Sequence, residues 1–297
     1  MNRTEPSWAF YRTFLQVLRE GSLSGAARAL KLTQPTVGRH IEQIEHSLGT
    51  TLFIRTQQGL SPTHTALALR PYAEAMEATS AALLRVASSE GQGVRGTVRI
   101  TASDIIAVEV LPPILAQLHA THPELVIELA PSNRMQDLLS READIAVRMV
   151  PPSQEVLVAR RLGRIELGLY GHRSYVQRHP PITHLDQLND YALMGYDKQT
   201  LSIPSMFPDA PWLSEMRLAL RTDSDLALLA ALRAGFGLGF CQVGIASRDP
   251  NLQRLLPQQV SLGLDTWLVM HEDLRDSPRY SVTFAALAQG LIEYIGG

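Results

Sequence analysis

The feature that most restricts this chain is a run of three helix signals near the N-terminus, separated by breaks only a few residues long. Trp8 to Glu20 places Phe10, Phe14, Val17 and Leu18 at helical spacing, giving one apolar face. Gly21 is positioned to end that helix. Ser22-Leu23-Ser24 restarts the chain, with Ser22 or Ser24 as N-cap. Ala26, Ala27 and Leu30 make a short second helix, small enough on its surface to let a crossing helix come close. Lys31-Leu32 is a tight turn. Thr33 is a good N-cap for a third helix, and Pro35 falls in its first turn, where a missing N–H costs nothing. That helix is expected to run to about Leu48, with Val37, Ile41, Ile44 and Leu48 as its buried stripe.

The other face of the third helix carries Gln34, Thr36, Arg39, His40 and Gln43, side chains that hydrogen-bond base edges or phosphates. A short helix, a tight turn and a capped helix with a polar outer face form the helix-turn-helix pattern. Its second helix enters the major groove of double-stranded DNA through its N-terminal residues. The expected DNA contacts are Ser24, Thr33, Gln34, Pro35, Thr36, Arg39 and His40. After Gly49, Leu52 to Arg55 reads as a strand, Gln57-Gln58-Gly59 as a turn and Leu60-Ser61 as a short return. This makes a wing, on which Arg55 is placed to grip the DNA backbone or the minor groove.

The formal net charge is −2, an unpromising total for a nucleic-acid binder. Its distribution matters more than its sum. Residues 1–65 hold seven Lys/Arg against four Asp/Glu, a net of +3, which leaves −5 on the rest of the chain. No acid occurs between Gly21 and Ile41. A small basic head on an acidic body is the asymmetry expected when only the head meets phosphate. Hydrophobic residues make up 45% and charged residues 19% of the chain, enough to bury cores. At 297 residues two or three folded units are expected. No apolar run approaches the ~18 residues of a membrane span, and MNRTEPSWAFYRTF lacks the apolar core of a secretory signal. The single cysteine, Cys241, excludes an internal disulfide and fits a reducing cytoplasm.

Several signatures in the first sixty-odd residues resemble the DNA-binding domain of the LysR-type transcriptional regulators. They are Ala26-Ala27 in the second helix, Gln34-Pro35 opening the third, Ile44-Glu45 before Leu48-Gly49, and Leu52-Phe53-Ile54-Arg55 in the wing. Three positions depart from the family pattern: Gly38 stands mid-helix where Ser is usual, His40 fills a commonly polar position, and His64 replaces a frequent Gly or Asp. The resemblance implies an α/β protein with an all-α winged helix-turn-helix head, a long linker helix, and a two-lobed effector domain like the periplasmic binding proteins. It implies a sequence-specific DNA-binding transcription regulator reading an inverted-repeat promoter site as a homodimer or homotetramer, with RNA polymerase as a further partner. No enzymatic activity, cofactor or metal is implied.

The expected domains are residues 1–61, the head; 62–90, a linker helix and hinge; and 91–297, the effector domain. Ser61-Pro62 reads as an N-cap followed by Pro at the first helical position, and the helix continues to about Ala87, broken only by Pro71. Leu69, Met76 and Leu83, with Tyr72, Thr79 and Val86, have coiled-coil spacing. A helix of about 25 residues is about 37 Å long. The resemblance has it pair with a second copy; packing on its own domain is the alternative. Ser88 to Gly93 is a hinge by composition.

From Val94 onward strands and helices alternate, which argues an open α/β sheet. Expected elements are strands at 94–101, 125–130, 144–147, 165–170, 217–222, 238–240 and 266–270. Helices are expected at 106–118, 135–141, 225–234 and 278–295, with two short ones after 170. The lobes would be 94–163 with 267–297, and 164–266. Ligands in such sheets bind at the carboxyl ends of strands, often on helix N-termini. That points to Ser103-Asp104, Ser132-Asn133, Arg148, Asp223-Ser224 and, after a second-lobe strand, Tyr196 and Lys198. Arg148 is suited to hold a carboxylate bidentately, or else to form a surface ion pair with Asp144 or Glu142. Ser103 and Ser132 serve equally well as helix caps. Family analogy makes the effector an organic acid or an aromatic compound.

Other signals have plainer explanations. Gly235-Phe236-Gly237-Leu238-Gly239 resembles part of a dinucleotide fingerprint but lies between a helix and a strand, the reverse of what phosphate binding needs. His119 and His122 lack a third ligand for zinc. Cys241 has no flanking base and reads as a small buried hydrophobe. A solute-binding protein or sensor with no DNA role is the alternative function, and an enzyme with the cleft as active site is a third.

Overall fold

The computed structural model describes residues 5–56, 59–87, 93–133, 143–151, 157–197, 207 and 209–296. Among these, the chain divides between Arg85 and Val86 into two compact units.

In the first unit, α1 spans Trp8–Glu20, α2 Leu23–Leu30 and α3 Gln34–Leu48. Each break has a local cause. Gly21 ends α1 with φ 64° and Gly49 ends α3 with φ 68°, left-handed conformations that glycine adopts without a Cβ penalty. Ser22, not Ser24, caps α2: its Oγ accepts from the Gly25 amide at 3.1 Å. Thr33 caps α3, accepting from Thr36 N at 3.3 Å. The core gathers Phe14, Leu15 and Val17 of α1, Ala26 and Ala27 of α2, and Val37, Ile41 and Ile44 of α3. The alanine pair is buried to 0% and 5%, so α2 contributes backbone proximity rather than bulk.

Strands β1 (Phe53–Thr56) and β2 (Gly59–Pro62) form the antiparallel wing, with Arg55 opposite Leu60. Helix α4 then runs His64–Ala87, continuous through Pro71. Its start corrects the expected cap. Ser61 and Pro62 are still paired with Ile54 and Phe53, and Thr63 caps the helix by accepting from Ala66 N at 3.2 Å. Strand pairing therefore prevails over the Ser-Pro signal and carries the head past residue 61. The early turns of α4 belong to the head core, since Ala66 and Ala73 are buried in it and Leu69 packs on it.

The second unit is built on one nine-stranded sheet, in the order β4-β3-β5-β11-β6-β9-β7-β8, with β10 also on β6. β3 (Gly96–Ala102), β4 (Leu125–Pro131) and β5 (Ile145–Arg148) run parallel at one end; β7 (Leu193–Gly195), β8 (Leu218–Arg221) and β9 (Leu238–Gln242) run parallel at the other. Two long antiparallel strands join them: β6 (Leu157–His172) and β11 (Leu262–His271). Their register slips between Thr266 and Trp267, opposite Gly163 and Arg161, so Leu162 is the extra residue of a bulge. Gly163 has φ 149°, and a Cβ there would lie 2.9 Å from Ile295.

Helices flank both ends: α5 (Asp104–Glu109), α6 (Leu111–Thr121), α7 (Arg173–Val176), α8 (Asp225–Arg233), α9 (Val243–Ala246) and α10 (Pro278–Gly296); β10 spans Leu252–Leu255. The helix expected at 106–118 is two helices that meet at Val110. Pro112 and Pro113 sit in the first turn of α6, where their missing N–H groups need no partner. The helix expected at 135–141, the hinge residues 88–92, and Gln57, Gln58, Glu142 and Lys198 lie outside the described residues.

Candidate DNA-binding face and effector cleft

On α3 the buried stripe leaves Gln34, Pro35, Arg39 and Gln43 exposed and Thr36 half-buried. Ser24 and Thr33 are exposed beside the turn, and Arg55 is exposed on the wing. The Thr33 and Thr36 hydroxyls lie 2.8 Å apart, locking the first turn of the helix. Of the basic residues in the head, Arg19 is engaged by Glu77 of α4 through two hydrogen bonds of 3.2 and 2.6 Å.

His40 departs from expectation. Its Nδ1 lies 2.9 Å from the Thr13 hydroxyl of α1, and its ring packs 5.0 Å from that of Phe10. It is turned to α1 rather than away from the core. Burial, and then the Arg39 charge, hold its pKa below the usual histidine range. Glu45 of the Ile44-Glu45 signature also has a structural task. Its Oε1 accepts from the amides of Leu52 at 2.6 Å and Phe53 at 3.2 Å, tying the end of α3 to the start of the wing. Gly38 is open: a Cβ there would meet only Leu23 Cδ1, at 3.8 Å.

In the α/β unit four side chains converge from opposite lobes. Asn133, after β4, accepts from the Asp104 amide at 3.1 Å, and its Nδ2 lies 3.4 Å from both Asp104 Oδ2 and Asp225 Oδ2. The Tyr196 hydroxyl, after β7, donates to the other oxygen of Asp225. Tyr196 is 44% exposed, with burial of its hydroxyl end and the Asp225 charge raising its pKa. Burial, and then the neighbouring Asp104 charge, raise that of Asp225. Sequence reasoning picked out Asp104, Asn133 and Tyr196 but missed Asp225. After the Ser224 cap, an acid in the first turn of a helix is ordinary and signals nothing more.

The remaining candidates divide. Ser103 stands at the N-cap of α5 but makes no capping bond; its Oγ is buried and has no hydrogen-bond partner among the described residues. Ser224 is a cap, accepting from Ala227 N at 3.2 Å. Ser132 donates its amide to Ala102 O at 2.8 Å, and Asp223 is exposed beside the cap. Arg148 is only 8% exposed, so its guanidinium does not lie on the surface. Its guanidinium donates to Val147 O at 3.1 Å and Thr101 Oγ1 at 3.4 Å. Asp144 is buried as well and accepts from Arg99 N at 2.8 Å.

Away from this mouth the lobes meet again. Arg233 of α8 makes a bidentate pair with Glu109 of α5, at 2.8 and 3.0 Å, and Arg248 donates to the Glu109 carbonyl at 2.8 Å. Arg233 holds the Glu109 carboxyl below the usual range. Cys241 lies buried, its thiol pushed up to about 12, so it is no ready nucleophile. Gly237 is explained by close approach: a Cβ there would lie 2.0 Å from the Ala192 carbonyl, which accepts from Leu238 N at 2.8 Å. Among the described residues no group of His, Cys, Asp and Glu could hold a metal, and no helix is long and apolar enough to cross a membrane.

An exposed capped recognition helix with a wing, and a two-lobed α/β unit whose lobes meet at a polar cluster, define a DNA-binding regulator with a ligand-binding domain. Residues 8–67 match the family described as bacterial regulatory helix-turn-helix protein, lysR family, and residues 91–291 match the LysR substrate binding domain. This chain belongs to the LysR family. It is 24% identical to the Mau operon transcriptional activator of Paracoccus denitrificans, over 92% of each chain. It is 30% identical to an HTH-type transcriptional regulator of Xanthomonas campestris, over 62% of this chain and only 54% of that one. Among solved structures, full-length AphB of Vibrio cholerae aligns with a TM-score of 0.60 at 20% identity, covering 95% of this chain and 99% of AphB. Full-length CbnR complexed with its target DNA aligns with a TM-score of 0.65 at 18% identity, covering 98% and 99%. At these identities the likeness is one of fold.

Proposed function

We propose that this chain is a sequence-specific transcription regulator that binds an inverted-repeat promoter site as a homodimer or homotetramer in the cytoplasm. In this reading it responds to a small-molecule effector held between the lobes and turns over no substrate. The observation that carries the reading is the solvent-facing row of Gln34, Pro35 and Arg39 on the first turns of a helix whose opposite face buries Val37, Ile41 and Ile44. Such a row meets base edges and phosphates when the helix enters a major groove, and Ser24, Thr33, Thr36 and Arg55 border it. Self-association is supported by α4, which leaves Leu67, Tyr72, Met76, Leu83 and Leu84 exposed; Tyr72 is 71% and Leu84 72% accessible. RNA polymerase is a further proposed partner.

The proposed effector contacts are Ser103, Asp104, Ser132, Asn133, Arg148, Tyr196, Asp223 and Ser224, to which Asp225 is added. The unsatisfied Ser103 hydroxyl supports a ligand at this place. The Arg148 guanidinium favours an organic acid, and the accessible Tyr196 ring an aromatic compound. The test is binding of the purified chain to the intergenic DNA upstream of its own gene. Tight binding that weakens steeply with salt, and exceeds binding to random duplex, is the expected result. Equal affinity for both duplexes would overturn the reading and leave the solute-binding alternative.

A further inference from the structure

The mouth of the cleft brings two carboxylates from different lobes onto one amide nitrogen. Asp104 lies at the start of α5 in one lobe and Asp225 at the start of α8 in the other, each 3.4 Å from Asn133 Nδ2. We propose that this mouth is a proton-sensitive latch: Asp104 and Asp225 close on the Asn133 amide when Asp225 is protonated, and part when it is ionised. The inference concerns regulation of the α/β unit and does not depend on the DNA-binding reading.

The chemistry follows from counting donors. One amide nitrogen has two hydrogens and serves two carboxylates, and the Tyr196 hydroxyl supplies one more donor, to Asp225. Two ionised carboxylates this close repel, more strongly as closure excludes water. A proton taken from solvent onto Asp225 removes that repulsion and adds an O–H donor. Among the described residues, the groups acting on Asp225 are Tyr196, Asp104 and Asn133, none of them cationic; Asp223, before α8, acts on Tyr196. The raised pKa of Asp225 agrees in sign. Closure retains a proton that an open, solvated Asp225 would release, so closure is favoured in acid and lost as pH rises through the closed-state pKa. The far end of the seam is different. There Glu109 and Arg233 carry opposite charges and remain paired while the mouth titrates. Helix α8 is therefore pinned at its C-terminal end and released at its N-terminal end.

The test is pulsed electron spin resonance on the full-length chain, with nitroxides at Gln117→Cys in one lobe and Asp190→Cys in the other, both exposed positions. The buried Cys241 is not expected to label. Labelled chain is diluted into unlabelled chain so that only distances within one subunit are read. The expected result is a short interlobe distance in acidic buffer that shifts to a longer one as the pH is raised. In Asp225→Asn and Asp104→Asn, which remove one charge each, that shift should be lost and the short distance kept. A wild-type distance that does not move with pH overturns the proposal whether or not the variants fold, and so does an equal shift in wild type and both variants.

Discussion

The recognition helix and the cleft mouth solve opposite problems. On α3 Gln34, Pro35, Arg39 and Gln43 point to solvent, and the helix is set by its own cap, its own glycine stop and one apolar stripe. At the mouth Asp104, Asn133, Tyr196 and Asp225 come from four separated segments and spend their hydrogen bonds on one another. The first surface is ready for a partner. On the proposed function the second would exchange internal contacts for those of a ligand, which lowers its affinity by whatever holds it shut.

The sharpest way to test that separation is to damage one region and read the other. Phe14 is 1% exposed in the head core, and Phe14→Ala should cost the head about 3–5 kcal/mol. Gly237→Ala forces a Cβ against the Ala192 carbonyl and should destabilise the β7–β9 contact by about 3 kcal/mol, the upper end of overpacking. Denaturant titrations read by hydrogen exchange should place the first loss in α1–α3 and the second in β7–β9. Loss of both regions together in either variant would show that the two cores share one cooperative unit.

Next in size are the binding variants. Arg39→Ala should weaken binding to every duplex, whereas Gln34→Ala should reduce discrimination between bases by about 1–3 kcal/mol. Equal losses on specific and random DNA for Gln34→Ala would remove it from base readout. Arg148→Ala should abolish the effector response and leave DNA binding intact. An unchanged response would make the buried guanidinium a structural group that holds Thr101 and the end of β5.

This contrast also explains what could be read in advance. The expected bounds of α1, Trp8 to Glu20, and the Thr33 cap of α3 match the structure because caps and glycine stops act within a few residues. The alternation of strands and helices after Val94 was legible too, because it follows from the pattern of apolar runs along the chain. The start of α4 was not, because pairing of Ser61 and Pro62 with β1 is a contact between strands and outweighs a local Ser-Pro signal. Nor was the inward turn of His40, which depends on Thr13 twenty-seven residues earlier. Asp225 was invisible as a site residue because its partners, Tyr196, Asn133 and Asp104, meet only once the sheet has assembled.

Gly38 offers a smaller and purely local test. Its position leaves room for a methyl group, with Leu23 Cδ1 at ordinary contact distance. Gly38→Ala should therefore stabilise the head by about 1 kcal/mol through helix propensity alone. It should leave the cleft untouched. A thermal scan showing no gain would mean that the extra flexibility of α3 is not a cost in this fold.

The smallest expected effect is a difference of sign with pH. His40 has its pKa lowered, first by burial and then by Arg39, so the folded head prefers the neutral ring. The stability this contributes is complete above the ordinary histidine range and is lost as pH falls through it. Asp225 has its pKa raised, so acid should loosen α1 against α3 while it tightens the cleft mouth. Hydrogen exchange on the full chain, corrected for the intrinsic pH dependence of amide exchange, reads both regions in one experiment. Mild acid should speed exchange in α1 and α3, and His40→Gln, whose amide can still bond the Thr13 hydroxyl, should abolish that acceleration. If the head loosens equally in wild type and His40→Gln, the His40–Thr13 contact is not what titrates. The opposed pH responses of the two regions would then lose their basis in the head, while the response of the mouth would stand on Asp104 and Asp225 alone.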